Sequence, residues 1–207
     1  MNILYNFSAR VFHRILEIPA RGFPKPQSSR EPFDEILGVQ TSGVVWLTNL
    51  RSNNFTYGVR YEPCSPTTCN WAIENSGIDP KDFCFIDIGS GKGRPLIIAS
   101  RHHFGELIGV DYSAKLCEIA KANLKKLQIQ ARIVCQDAVQ FQIPKRDIFA
   151  FFYCPFTRTV LRKVLDNLQS ANRLVVAYQG SGVEAVAERA WLKPFASFRD
   201  TRLFRNF

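Results

Sequence analysis

The chain has 207 residues, of which 46% are hydrophobic, so one domain with an additional segment is the simplest expectation. No apolar run is long enough to cross a bilayer, and charged residues interrupt residues 1–20, where a signal peptide needs a continuous apolar core. We therefore expect a cytoplasmic protein. The net charge of +9 makes an anionic partner plausible, but the basic residues are scattered and no DNA-reading motif is present.

We expect a lead-in segment over residues 1–60 and the main domain over residues 61–207. Apolar residues recur at helical spacing over residues 2–18, which predicts an amphipathic helix. Such a helix can pack on its own domain, mediate a subunit contact or lie on a membrane surface. Residues 19–32 are rich in proline and serine and predict an extended linker. Tight turns are expected next, at Gly38, Thr41, Ser42 and Gly43.

A proline-containing loop over residues 57–66 precedes the central part of the domain. Its prolines are expected to keep it extended, and Thr67 or Thr68 then caps a helix that runs to residue 76. A loop placed directly before a ligand-binding strand can fold over the ligand as a lid. Tyr61 lies within this loop.

The central stretch is Phe-Cys-Phe-Ile-Asp-Ile-Gly-Ser-Gly-Lys-Gly-Arg over residues 83–94. Residues 83–88 read as a buried parallel strand, and residues 95–101 open a helix. Between them lie Gly89, Gly91 and Gly93, whose backbone can adopt positive φ and approach a ligand closely. The order of strand, glycine loop and helix is typical of a nucleotide-binding site.

The glycine spacing separates the possible ligands of this loop. A dinucleotide fingerprint requires its third glycine at position 94, where the chain has Arg94. A P-loop requires a Gly-Lys pair followed by Ser or Thr, whereas Lys92 is followed by Gly93. Both interpretations are therefore disfavoured, and the remaining pattern is Asp-x-Gly-x-Gly-x-Gly.

Asp111 provides a second and independent indication. It ends a predicted strand over residues 107–110, about 20 residues after the glycine loop, where an acidic residue can accept hydrogen bonds from ribose hydroxyls. Alternatively, Asp111 only caps the helix predicted over residues 114–126, a task that Ser113 performs equally well. We favour ribose binding because loop, strand and acid occur in the expected order.

The remaining strands and helices continue to alternate. Strands are predicted over residues 131–135, 147–153, 173–178, 192–199 and 201–207, the last two as a pair. Thr157 is expected to cap a helix that continues through residue 168, and a further helix is predicted over residues 183–190. This order predicts a doubly wound, mostly parallel sheet with helices on both faces. Ligands of such sheets lie beyond the carboxyl ends of the strands, where Asp87, Asp111, Asp137 and Tyr153 are expected to converge.

Four motifs in this order resemble those of class I S-adenosylmethionine-dependent methyltransferases. They are residues 87–94, Gly-Val-Asp-Tyr at 109–112, Gln-Asp-Ala at 136–138 and Phe-Tyr-Cys-Pro-Phe at 152–156. Together with Gly-Val-x-Thr-Ser-Gly at 38–43 and Tyr-Glu-Pro at 61–63, the pattern is similar to small bacterial methyltransferases of unassigned acceptor. It is more distantly similar to the non-SET histone-lysine methyltransferases. The resemblance implies a seven-stranded Rossmann-like sheet with an N-terminal helical extension.

The resemblance also implies S-adenosyl-L-methionine as cofactor and assigns its contacts. Asp111 would hold the ribose hydroxyls, Tyr112 would lie on the adenine, and Asp137 with Ala138 would meet the adenine edge. The glycines would line the methionine and ribose. The implied cofactor residues are Tyr61, Asp87, Gly89, Ser90, Gly91, Gly93, Asp111, Tyr112, Asp137 and Ala138. The implied catalytic residues are Tyr153, Cys154, Pro155 and Phe156. We expect Tyr61, Tyr153, Pro155 and Phe156 to shape the acceptor pocket.

Cys154 departs from the pattern of amine methyltransferases, which often have Asn or Asp before this proline. A thiol is a poor hydrogen-bond acceptor, which weakens the expectation that this side chain orients a planar amine. The Tyr-Gly-Glu-Thr segment of the histone enzymes is also missing after Pro66. The acceptor is therefore undetermined among protein, nucleic acid and small molecule. The alternatives are a catalytically silent S-adenosylmethionine-binding or scaffold protein and an NAD(P)-dependent oxidoreductase. Reduced, buried cysteines are expected, without a metal site.

Overall fold

A computed structural model describes residues 31–44, 61–153 and 156–207. The helix predicted over residues 2–18 lies outside the described residues, as does nearly all of the linker predicted over residues 19–32. Pro32 is not part of a linker, because it opens helix α1 at Pro32–Leu37. Proline is well suited to the first turn of a helix, where its missing N–H has no helical partner to lose.

The described residues form one seven-stranded sheet with the order β3-β2-β1-β4-β5-β7-β6. Strands β1 to β5 run parallel, and β7 pairs antiparallel with both β5 and β6. The predicted doubly wound, mostly parallel sheet and its terminal strand pair are therefore confirmed. The strands are β1 Cys84–Ile88, β2 Glu106–Asp111, β3 Arg132–Cys135, β4 Ile148–Tyr153, β5 Leu174–Gln179, β6 Lys193–Phe198 and β7 Thr201–Arg205.

Helices cover both faces of the sheet because successive side chains of each buried strand point to opposite sides. Phe85 faces an apolar layer shared with α1 to α4, and Ile86 faces a second layer shared with α5 and α6. Burial on both faces explains why β1 and β4 read as continuous apolar runs. The helices after α1 are α2 Pro66–Glu74, α3 Arg94–Ala99, α4 Ala114–Lys126, α5 Arg158–Leu168 and α6 Glu184–Ala187.

Some predicted boundaries and caps are wrong. Helix α2 begins at Pro66, with Ser65 as its N-cap, so neither Thr67 nor Thr68 caps it and the proline joins the helix. Thr157 occupies the N-cap position of α5 as predicted, but its side chain makes no cap hydrogen bond. The helix predicted over residues 183–190 is shorter, because α6 spans only Glu184–Ala187.

The five cysteines among the described residues divide into two groups. Cys64, Cys69, Cys84 and Cys117 are buried, as expected, but Cys135 is exposed at the end of β3. The prediction of buried thiols is wrong for Cys135 because β3 is an edge strand of the sheet. Within the described ranges, no cluster of side chains has the composition of a metal site, and no helix has the length and hydrophobicity needed to cross a membrane.

Candidate active site

A cavity of about 450 Å³ lies at the carboxyl ends of the central strands. Its size falls in the range of roughly 300–1,000 Å³ that is usual for small-molecule sites. Asp87 on β1, Asp111 on β2 and Tyr153 on β4 all line it, together with Asp137 from the loop after β3. Parallel pairing places the ends of β3, β2, β1 and β4 side by side, which brings these four side chains to one place.

The glycine loop follows β1 with positive φ at Gly89 (84°), Gly91 (51°) and Gly93 (82°). Only Gly89 of these three is among the residues that line the cavity. A Cβ built on Gly91 would overlap the ring of Tyr61, and one on Gly93 would lie 3.3 Å from the Cβ of Ala120 in α4. Gly91 and Gly93 therefore shape the loop and permit close packing around it.

Asp111 ties the glycine loop to the end of β2. Its Oδ2 accepts the backbone N–H of Gly91 at 2.8 Å, and its Oδ1 accepts the N–H of Ser113 at 2.8 Å. Ser113 is the N-cap of α4 and accepts the N–H of Leu116, so helix capping does not explain Asp111. Burial raises the pKa of the Asp111 carboxyl, while the two backbone hydrogen bonds act in the opposite direction.

Apart from Nη2 of Arg94, which is ion-paired with Glu31 at 2.6 Å, three buried polar atoms of the cavity-lining residues have no hydrogen-bond partner in the part of the chain that the structure describes. They are Oδ2 of Asp87, Oγ of Ser90 and the hydroxyl oxygen of Tyr112. Burial, followed by the proximity of Cys64 and Asp111, raises the pKa of Asp87 well above its usual range. Buried polar atoms normally have hydrogen-bond partners, so the part of the cavity lined by Asp87, Ser90 and Tyr112 is suited to a polar ligand.

The loop after β3 forms the next part of the cavity. Asp137 accepts the N–H of Val139 through Oδ1 at 2.9 Å, and Ala138 is buried beside it. Asn167 of α5 donates to the carbonyl oxygen of Val139 at 2.7 Å. Helix α5 thus fixes the loop that carries the residues predicted to meet an adenine edge, and Gln136 and Gln140 line the cavity from the same loop.

Tyr61 closes the cavity from the side of the predicted lid. Its ring lies over Gly91, and Nζ of Lys92 is 4.8 Å from the ring centroid. Its hydroxyl donates to the carbonyl oxygen of Thr41, and burial raises the pKa of the phenol far above its usual value. Glu62 and Pro63 also line the cavity.

The remaining part of the cavity lies beside the end of β4. Tyr153 and Phe156 line it, whereas Cys154 and Pro155 lie outside the described residues. Sequence reasoning missed the contribution of α5, whose Thr159, Val160 and Lys163 line the cavity. No pattern in the sequence distinguishes Thr159 and Lys163 from ordinary helix surface. Sequence reasoning also missed that Arg94, noted only as a departure from a glycine pattern, is buried and lines the cavity.

Residues 85–175 match the family model described as a methyltransferase domain. No curated protein sequence matches the chain. A solved RNA methyltransferase from Salinibacter ruber, in complex with S-adenosyl-L-homocysteine, is 18% identical with a TM-score of 0.54, over 69% of this chain and 91% of that one.

Two further solved structures share the fold. A predicted N6-adenine-specific DNA methylase from Listeria monocytogenes is 16% identical with a TM-score of 0.57, over 70% of this chain and 51% of that one. A ribosomal protein L11 methylase from Lactobacillus delbrueckii is 17% identical with a TM-score of 0.53, over 67% and 75% respectively. These findings confirm the predicted Rossmann-like fold of class I methyltransferases.

Proposed function

We propose that the cavity binds S-adenosyl-L-methionine and that the chain transfers the methyl group to an acceptor entering beside the end of β4. The observation that carries the proposal is the hydrogen bond between the Asp111 carboxylate and the Gly91 N–H. It joins the glycine loop of β1 to the acid of β2 as one preorganised unit at the strand ends. The DNA and RNA methylases among the similar structures are compatible with this proposal, but they do not identify the acceptor.

The polar groups of the cavity match the cofactor in chemical type. The buried carboxylate of Asp87 is suited to the cofactor's α-ammonium group, and the oxygens of Asp111 have further lone pairs for ribose hydroxyls. The loop with Asp137 and Ala138 offers polar and apolar contacts for an adenine. The unpartnered atoms of Asp87, Ser90 and Tyr112 would gain partners in such a complex.

The cofactor supplies a methyl group on a positively charged sulfonium that is already activated for displacement. The residues of the chain therefore act mainly by alignment, which can contribute roughly 7–11 kcal/mol when the reacting atoms are held in line. Tyr61, Tyr153 and Phe156 would exclude water and hold the acceptor atom against the methyl carbon. The acceptor would take the methyl group as the sulfonium releases it, and the acceptor's proton would pass to solvent.

The experiment is an incubation of the purified protein with S-adenosyl-L-methionine labelled on its methyl group and with extract from its own source. Label is then counted in the protein, nucleic-acid and small-molecule fractions. We expect label in one fraction, with strong reduction in Asp111→Ala and a smaller reduction in Asp111→Asn, which keeps one acceptor oxygen. Thermal unfolding of each variant verifies that it is folded.

Equal labelling by the parent and a folded Asp111→Ala protein would contradict the proposal. Binding of S-adenosyl-L-homocysteine without transfer to any fraction would favour a catalytically silent binding protein. Displacement of S-adenosyl-L-homocysteine by NADH would favour the oxidoreductase alternative. The net charge of +9 makes an anionic acceptor the first to test.

A further inference from the structure

A buried polar cluster lies behind the cavity, where the segment of residues 31–44 packs against the glycine loop. We call it the Thr41 cluster; its members are Asp34, Thr41, Ser42, Lys92 and Arg94. Asp34 and Arg94 are 2% exposed, and Thr41 is fully buried. Charged side chains are rarely buried to this extent unless they are paired, so their partners determine what the cluster does.

Asp34 fixes the turn that contains Thr41. Its carboxylate accepts the backbone N–H of Thr41 at 2.8 Å, the N–H of Ser42 at 2.7 Å and the hydroxyl of Thr41 at 2.5 Å. The Thr41 hydroxyl oxygen in turn accepts Nε–H of Arg94 at 2.8 Å. One hydroxyl therefore donates to a buried carboxylate and accepts from a buried guanidinium, a role that valine, its apolar isostere, cannot fill.

Each contact from this turn leads to a residue around the cavity. The carbonyl oxygen of Thr41 accepts the hydroxyl of Tyr61, whose ring covers Gly91. The carbonyl oxygen of Ser42 accepts Nζ of Lys92 in the glycine loop at 2.6 Å. Arg94 itself lines the cavity, and its Nη1 donates to the carbonyl oxygen of Cys64, another lining residue, at 3.1 Å.

We infer that Thr41 is a positioning residue for the cofactor cavity, holding Tyr61 through its carbonyl and Arg94 through its hydroxyl. The inference rests on the proposed function, because it concerns the affinity of that cavity for its cofactor. Thr41 does not touch the cavity itself. Its effect is transmitted by the two lining residues that it contacts. Without the Thr41 hydroxyl, Arg94 keeps its ion pairs with Glu31 and Asp34 and its hydrogen bond to Cys64, but its Nε–H loses the acceptor that links it to the turn holding Tyr61.

The test compares the binding of S-adenosyl-L-homocysteine in four full-length proteins by titration calorimetry, alongside their unfolding temperatures without ligand. Thr41→Val removes the hydroxyl, and Thr41→Ser retains it. Thr201→Val is a matched control, because Thr201 is equally buried, does not line the cavity and has no partner for its hydroxyl oxygen among the described residues. The fourth protein is the parent.

We expect Thr41→Val to weaken binding by about 10-fold or more, since it removes hydrogen bonds to two charged groups. Thr41→Ser should restore binding to within about 3-fold, and Thr201→Val should bind like the parent. A role in folding alone would lower the unfolding temperature of Thr41→Val and leave its dissociation constant unchanged, which would overturn the inference.

Tyr61→Phe keeps the test decisive if Thr41→Val does not fold. It removes only the hydroxyl that donates to Thr41 and should weaken binding by about 2- to 10-fold, the usual range for a neutral hydrogen bond. Unchanged affinity in Tyr61→Phe would overturn the inference. A folded parent that fails to bind S-adenosyl-L-homocysteine would overturn the proposed function itself, and the parent titration separates that outcome from the others.

Discussion

Two walls of the same cavity are built in contrasting ways. The inner wall consists of Asp87, Gly89, Ser90, Asp111 and Tyr112, and the outer wall of Tyr153, Phe156, Thr159, Val160 and Lys163. In the inner wall the acidic side chains are almost fully buried and the loop backbone is held by hydrogen bonds to β2. In the outer wall Thr159 and Lys163 are exposed, and the other three residues are half-buried.

The difference corresponds to two kinds of ligand. A cofactor that is the same in every cycle is best bound by a rigid, preorganised wall, which reduces the entropy lost on binding. An acceptor must enter and leave, which an exposed wall on a helix end and a strand end permits. We therefore expect substitutions in the inner wall to change cofactor affinity and substitutions in the outer wall to change transfer.

Gly91→Ala should have the largest effect on cofactor affinity. Its Cβ would overlap the ring of Tyr61, and φ of 51° is strained for alanine. Strain and overpacking of roughly 1–3 kcal/mol each predict a loss of about 30-fold or more in affinity for S-adenosyl-L-homocysteine, measured by calorimetry. Gly77→Ala is the matched control, because its φ is +70° and nothing lies within 4 Å. A normal dissociation constant in Gly91→Ala would contradict the account.

Asp111→Ala should have the next largest effect. The substitution leaves the Gly91 and Ser113 N–H groups without their carboxylate acceptor and removes the proposed ribose contact. We expect affinity to fall by roughly 10- to 100-fold, with Asp111→Asn in between, since hydrogen bonds to charged groups contribute about 1.5–3 kcal/mol. Equal affinities in parent, Asn and Ala proteins would show that the acid does not contact the ligand.

Asp87→Asn should change how the stability of the protein depends on pH, because Asp87 is a buried acidic group of the inner wall. The raised pKa means that folded Asp87 keeps its proton at pH values where the unfolded residue has lost it, so its contribution to stability falls as pH rises above the usual range. The Asn protein should therefore unfold at a higher temperature than the parent at pH 8.

The difference in unfolding temperature between Asp87→Asn and the parent should vanish at about pH 4. This pH is near the usual Asp pKa, so the Asp87 carboxyl of the parent is protonated there. Calorimetric or fluorescence unfolding at both pH values provides the measurement. The affinity of the Asp87→Asn protein for S-adenosyl-L-homocysteine should nevertheless be lower than that of the parent, because the substitution removes the carboxylate. Parallel pH profiles for the two proteins would contradict the assignment of a buried, unpartnered carboxylate.

Phe156→Ala should have the smallest effect on cofactor affinity, within about 2-fold, because Phe156 lies in the half-buried outer wall. Transfer of labelled methyl to extract should fall clearly more than the affinity does. Lys163→Ala separates charge from shape in the same wall, since an anionic acceptor predicts a loss of transfer that weakens with added salt. If these outer-wall substitutions lowered cofactor affinity as strongly as Asp111→Ala does, the distinction between the two walls would be wrong.

The inner wall could be predicted from the sequence because its pattern is local. Residues 83–94 carry a strand, a glycine loop and a helix in order, and Asp111 follows at a fixed distance, so few arrangements satisfy them together. The predicted β1 to β5 agree with the structure to within about one residue at each end. Burial on both faces produces the apolar runs that made these strands readable.

The Thr41 cluster and the contribution of α5 could not be predicted in the same way. Arg94 and Thr41 are 53 residues apart, and no local pattern indicates that a guanidinium at the first residue of α3 bonds to a hydroxyl so far away. The sequence predicted only turns around Thr41, and Thr159 and Lys163 read as ordinary helix surface. Long-range polar contacts depend on the packing of segments, which sequence periodicity does not encode.

The most direct test of the central claim is titration of the unmodified protein with S-adenosyl-L-homocysteine, followed by competition with NADH. We expect saturation at one ligand per chain, no displacement of the ligand by NADH and weaker binding by Asp111→Asn than by the parent. A folded protein that takes up no S-adenosyl-L-homocysteine, or one from which NADH displaces it, would contradict the claim that the inner wall is a methyl-donor site.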